Sequence, residues 1–273
     1  MSEQLTLRAL TINEVLDKAL RIYRTKFIML LGIVAIALIP SGVLELVMAY
    51  FRGTLQNLGS LLNSLFSSFA RLALIVAVSQ VYLVRDFSIG SAYSGGLKRF
   101  WSVIGAGFIM GFAIGLPAVA IFACAGIAEP PVGFFVWLIF FLPVIVYLST
   151  RWSLAAMAIV LEGIGATEGL RRSWNQTQDY FWRVLGTSFA ASLLTILLTV
   201  LPNLFIAYLL RLMEFSFQVI GLAGLMVEQI SLIFVMPFTV GVQVLIYYDL
   251  RIRKEGFDLL LRANEGLTTQ LAS

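Results

Sequence analysis

The sequence predicts an all-α fold: a polytopic transmembrane bundle of about six spans, with amphipathic interfacial helices and a threefold internal repeat. Three observations point there. Of the 273 residues, 60% are hydrophobic and only 12% charged, with a mean hydropathy of +0.93, whereas soluble domains are about a quarter charged. Apolar runs of the roughly 20 residues needed to cross a bilayer recur along nearly the whole chain. The basic residues fall in alternate connections between those runs, as the retention of positive charge on the cytoplasmic side requires.

In chain order, the first element is a short amphipathic helix over 11–26. Thr11 and Glu14 fit a capping box, in which hydroxyl and carboxylate satisfy opposite free donors at a helix start. Val15, Leu16, Ala19, Leu20 and Tyr23 then form one apolar face, suited to the membrane interface. The first 27 residues lack the basic, apolar and small-residue series of a cleavable signal peptide, so no removal is expected. Spans follow near 27–50, 63–84, 102–126, 131–150, 184–210 and 218–248, with a cytoplasmic tail over 249–273. Pro40, Pro117, Pro143, Pro202 and Pro237 fall inside spans and read as kinks, because neighbouring helices re-satisfy freed carbonyls. The segment WSLAAMAIVL between Arg151 and Glu162 is too short to cross; it extends the fourth span or lies in the interface. No stretch remains for a separate soluble domain, and 1–273 reads as one integral membrane domain.

Sixteen basic residues lie on one side of this arrangement: Arg8, Lys18, Arg21, Arg24 and Lys26; Arg85, Lys98 and Arg99; Arg151, Arg171, Arg172 and Arg183; and Arg251, Arg253, Lys254 and Arg262. The opposite connections hold Arg52 and Arg211, and Arg71 falls within the second span. This pattern requires an even number of spans and places both termini in the cytoplasm of a cell-membrane protein. The net charge of +4 is then a product of topology and contact with anionic lipid, with no nucleic-acid motif to explain.

The repeat is carried by Phe-x-x-x-x-Gly at three span starts: Phe27 to Gly32, Phe100 to Gly105 and Phe181 to Gly186, each preceded by basic side chains. Each copy reads as an interfacial helix followed by a helical pair. In the third, Leu170, Trp174, Thr177 and Phe181 recur at helical spacing.

Two stretches, GATEGLRRSWNQTQDYFWRVLG at 165–186 and YYDLRIRKEGFDL at 247–259, resemble the bacterial and archaeal membrane domain fused to some glycerophosphoryl diester phosphodiesterases and also found alone. The resemblance implies fold and location. The phosphodiesterase activity of the fused proteins belongs to a separate soluble barrel, whose metal-binding and acid–base residues have no counterparts here.

The chain has no histidine, which removes the usual acid–base switch and every Ser-His or Cys-His mechanism. The single Cys124 excludes disulfides and Cys-based zinc clusters within one chain and reads as a small buried hydrophobe. No metal, cofactor or nucleotide loop is expected. Charges inside a bilayer are costly and mark candidate sites, which gives Glu45, Arg71, Arg151 and Glu228. Glu45 and Arg71 are candidates to pair near the outer face, and Glu228 reads as the deepest carboxylate. Arg171, Arg172, Trp174, Tyr248, Asp249, Arg251 and Arg253 form a second set, suited to a lipid phosphate or a partner, with Asp249 a candidate partner for Arg171 or Arg172. The expected function is a noncatalytic membrane component that organises anionic lipid or serves a membrane-protein partner, including a second copy of itself. The alternative is a small-solute or ion transporter using Glu228 and Arg71.

Overall fold

The computed structural model describes residues 10–51, 54–125 and 130–256, with side chains described throughout except at 120–125, 130–134, 136 and 137. Arg8, Arg52, Arg262, the tail beyond 256 and the side chain of Cys124, all used above, lie outside the described residues. The described residues contain no strand. They form α1 (Ile12–Thr25), α2 (Phe27–Phe51), α3 (Thr54–Tyr82), α4 (Ile89–Leu97), α5 (Phe100–Ala125), α6 (Pro130–Trp152), α7 (Ala155–Glu162), α8 (Ala166–Thr177), α9 (Phe181–Leu212) and α10 (Phe217–Glu255). Six helical stretches among them are long and apolar enough to cross a membrane, with α6 and α7 counted as one run. All five span prolines lie within continuous helices.

The boundaries differ most at α3, which begins at Thr54 where the apolar run was placed at 63. Gln56, Asn57, Ser60 and Asn63 dilute hydropathy there, yet a helix satisfies its own backbone whatever its side chains. At the other end of the chain α10 continues to Glu255, and at 39 residues it is about 58 Å long. The stretch after Arg151 neither simply extends α6 nor lies apart: α6 stops at Trp152 and α7 restarts at Ala155. Ser173 of α8 bridges this break. Its hydroxyl accepts from the Leu154 amide at 3.2 Å and donates to the Arg151 carbonyl at 2.7 Å, so two groups freed by the break are satisfied by one side chain.

The chain divides into two compact units, Met1–Lys98 with Gly186–Ser273, and Arg99–Leu185. In the first, α2 and α3 pack antiparallel in a register fixed by Ser41 donating to Asn63 at 2.8 Å and by Gly59, which lies against the backbone of Glu45. Helix α10 packs on both, and its stretch from Val235 to Ile252 holds most of its buried residues. The capping box of Thr11 and Glu14 forms as read. The apolar face of α1, with Val15, Ala19 and Ile22 buried, packs chiefly on α10. Helix α4 folds back on α3: a Cβ at Gly96 would sit 2.8 Å from the Leu72 carbonyl carbon, so only glycine permits this approach. The Tyr93 hydroxyl donates to the Ile33 carbonyl at 2.6 Å and so ties α4 to α2, and burial pushes its pKa above 10.0. Helix α9 is largely exposed along its length; its Asn203 donates to the Gly224 carbonyl of α10 at 3.2 Å.

In the second unit α5, α6, α7 and α8 surround a small core of Ala106, Ala155, Ile159 and Leu170. Gly163, with a φ of 71°, turns the chain from α7 into α8 in the left-handed conformation that glycine adopts without strain.

Candidate functional site

Of the charges singled out from sequence, Arg151 has the most unusual surroundings. It is the last basic residue of α6, one turn beyond Tyr147. Because α8 is pinned to the end of α6 through Ser173, Trp174 comes to the same place, and Phe181 follows at the start of α9. The guanidinium lies 5.1 Å from the Tyr147 ring centre, 5.0 Å from Trp174 and 5.7 Å from Phe181. The rings also contact one another, Tyr147 meeting Trp174 edge-on at 5.8 Å and Phe181 at 5.4 Å. Three π-faces supply the attraction a carboxylate would otherwise provide. Nε and Nη1 are buried with no hydrogen-bond partner, leaving Nη2 as the guanidinium edge that is not buried. The aromatic faces stabilise the charge but accept no strong hydrogen bond.

Beside this box Glu162 holds Arg172 in a bidentate pair, with Nε to Oε2 at 3.0 Å and Nη2 to Oε1 at 2.9 Å. Arg171 is exposed, and Gln176, which is buried, leaves both amide atoms without a hydrogen-bond partner.

In the other unit Asp249, 1% exposed, accepts from the Leu10 amide at 2.7 Å and from Arg253 Nε at 3.1 Å; Arg253 Nη2 donates in turn to the Leu10 carbonyl at 2.8 Å. Arg251 pairs with Glu255 one turn on at 3.2 Å. Tyr248 shares a 2.6 Å hydrogen bond with Ser79 and lies against Tyr82, whose ring also carries Lys18 at 4.6 Å. Thus Arg172, Arg251 and Arg253 are engaged in ion pairs that build the fold, and Tyr248 and Asp249 join helix to helix.

The intramembrane set is rearranged relative to expectation. Glu45 and Arg71 do not pair. Gly59 stands opposite Glu45, and Arg71 lies twelve residues farther along α3, about 18 Å away along the helix axis. Arg71 is exposed and donates to Gln243 Oε1 at 2.8 Å. Glu228 is exposed, and its neighbour Gln229 is the side chain that turns inward, donating to Glu45 Oε2 at 2.8 Å. Glu45, at 5% exposure, is therefore a buried carboxylate within a span, six residues from the end of α2. Sequence reasoning missed Gln229 and Gln243, for which only an amide within an apolar run gave a signal, and Tyr147, whose place four residues before Arg151 was readable.

The helices and their apolar exteriors define a multi-pass integral membrane protein. A family model described as the membrane domain of glycerophosphoryl diester phosphodiesterase matches residues 121–261, more than half of the chain, and the chain belongs to that family. The matched range includes both stretches that carry the resemblance, the Arg151 box, and Tyr248, Asp249, Arg251 and Arg253 of the other cluster. No curated protein and no solved structure matches the chain.

Proposed function

We propose that this protein is a noncatalytic component of the cell membrane that binds anionic phospholipid headgroups, with both termini in the cytoplasm and the two units forming one membrane domain. The observation that carries this reading is the Arg151 box: a cation held by three aromatic rings, with no carboxylate paired to it among the described residues and with Nη2 outside the buried, unpartnered nitrogens. A phosphate oxygen is the acceptor such an edge suits, because guanidinium and phosphate form short, charge-assisted bonds. Exposed Arg171 adds positive charge on α8. Trp174, read from sequence as a ligand contact, acts here as a wall of the box. Short helices α1, α4 and α8 each directly precede a span that opens at Phe27, Phe100 or Phe181, which supports three repeated units of interfacial helix and span pair.

The test is native mass spectrometry of the purified protein released from mixed phosphatidylglycerol and phosphatidylcholine, comparing wild type with Arg151→Gln/Arg171→Gln. Selective retention of phosphatidylglycerol by wild type and its loss in the variant is expected. Equal retention by both proteins refutes the reading. Neutralising Arg172, Arg251 and Arg253 is a poorer test, since it also breaks structural ion pairs. A transporter role draws support from Arg71 in its span, but the exposed position of Glu228 weighs against the carboxylate that reading relied on.

A further inference from the structure

Arg71 has no part in the headgroup reading, and its place in α3 is costly. It lies within a span, seventeen residues after Thr54 and eleven before Tyr82, so the helix ends are about 25 and 16 Å away along the axis. An arginine side chain is too short to carry its charge to either end, and a guanidinium does not give up its proton in proteins. Yet the side chain is exposed and, among the described residues, pairs with no carboxylate; its one hydrogen bond runs from Nη2 to Gln243 Oε1 of α10 at 2.8 Å. The remaining N–H donors of the fork have no acceptor among the described residues.

Polar side chains lead to Arg71 from one direction. Asn57, Ser60, Ser64, Ser67, Ser68 and Arg71 fall within about 100° of one another around α3. Asn57, Ser60 and Ser64 are exposed, and Ser67 and Ser68 are half-buried. The Ser64 and Ser68 hydroxyls each donate to the carbonyl one turn back, at 2.9 Å, which leaves their oxygens open to water. Past Arg71 the same face closes, since Ile75 and Val78 are fully buried. The polar face is thus open toward the α2–α3 connection and ends on the guanidinium.

Serines bonded to their own helix are tolerated against lipid; an unpaired guanidinium deep in a span is not. Water along the serine face would hydrate that charge, and an anion would balance it. We infer that this face of α3 is a water-filled groove ending in a binding site for one small oxyanion at Arg71, of which a carboxylate or dihydrogen phosphate is the type. The single positive charge sets the charge of the ligand, and the parallel N–H groups of a guanidinium match two oxygens better than they match a halide. The ligand comes from the aqueous phase, because a lipid phosphate would have to leave the headgroup layer to reach this depth.

This site and the Arg151 box are tested separately. In the full chain carrying Cys124→Ala, held in phosphatidylcholine nanodiscs, Ser64→Cys and Ser68→Cys are introduced singly, with Ile36→Cys, an exposed apolar position of α2, as the lipid-facing control. Methanethiosulfonates react with the thiolate, which forms in water and not in lipid. Both serine-position cysteines should react and Ile36→Cys should not. At Ser68→Cys, one turn from Arg71, an anionic reagent should outpace a cationic one of similar size, and Arg71→Gln should lower that rate ratio at least about tenfold. Saturating inorganic phosphate, at constant ionic strength, should slow modification of Ser68→Cys about tenfold or more, while Arg71→Gln leaves phosphatidylglycerol retention unchanged. Should Arg71→Gln fail to fold, the phosphate protection and the Ile36→Cys comparison decide. The inference is overturned if the serine-position cysteines are as inert as Ile36→Cys, if phosphate gives no protection, or if Arg71→Gln keeps the charge preference. Modification that is blocked in nanodiscs and appears only on delipidation would put a lipid phosphate in the groove and overturn the aqueous ligand.

Discussion

Replacing Asp249 by alanine tests how α1 is held. The carboxylate is 1% exposed and receives the Leu10 amide at 2.7 Å and Arg253 at 3.1 Å, the two groups that fix the start of α1 to the end of α10. A hydrogen bond to a charged group contributes about 1.5–3 kcal/mol, and a partly exposed ion pair up to about 1 kcal/mol. Arg253 keeps 26% of its side chain exposed and retains the Leu10 carbonyl, so it is partly compensated. Docking of α1 should therefore weaken by about 2–4 kcal/mol. If α1 opens locally, its amide exchange accelerates by roughly 30- to 900-fold, while exchange within α5 and α6 is unchanged. Hydrogen exchange with mass spectrometry, resolved on a peptide covering 12–25, reads this directly. Unaltered exchange in α1 would refute the reasoning, because it would mean that Val15, Ala19 and Ile22 hold the helix without the polar clasp. Asp249→Asn, which keeps the volume and one acceptor, should give a smaller acceleration.

Ser173→Ala removes the side chain that bridges α6 and α7 and leaves the Leu154 amide without that acceptor, which should cost about 1–3 kcal/mol in a thermal or denaturant melt. Gly96→Ala drives a methyl against the α3 backbone and should cost about 1–3 kcal/mol, with Gly90→Ala, where a Cβ meets open space, as the tolerated control. Tyr93 has a raised pKa from burial, so its contribution is fully present below pH 10 and is lost as pH rises through its native value. Melts of wild type should accordingly lose stability above pH 10 more steeply than those of Tyr93→Phe. Glu228→Gln should leave the stability read from a denaturant melt within about 0.5 kcal/mol of wild type, as exposed substitutions do.

The spans and the α1 cap were legible because each is a local property. Twenty apolar residues, or Thr11 three residues before Glu14, determine their own structure with little help from the rest of the chain. What was not legible depends on rotation and register. Glu228 and Gln229 differ by about 100° around one helix, and hydropathy does not say which points inward; the packing of α10 on α2 decides it for Gln229. Hydropathy alone puts the start of α3 near 63, which sets Arg71 close to the level of Glu45. Beginning that helix at Thr54 sets Gly59 opposite Glu45 and carries Arg71 well down the span. The Arg151 box was half visible, in Tyr147 and Arg151 at one-turn spacing, while Trp174 reaches it only because Ser173 fastens α8 across the break after α6.

The unequal lengths of α2 and α10 bear on how the protein meets membranes of different thickness. At 25 residues α2 is about 37 Å long, close to what a bilayer requires, whereas α10 is about 58 Å. Laying α10 wholly within a 30 Å hydrocarbon layer would take a tilt of about 60°, far beyond the roughly 20° usual for such helices, so part of it stands clear of the lipid. A thinner or thicker bilayer still falls within the length of α10, whereas α2 has far less length to spare. The short helix acts as the gauge and the long one as the mast.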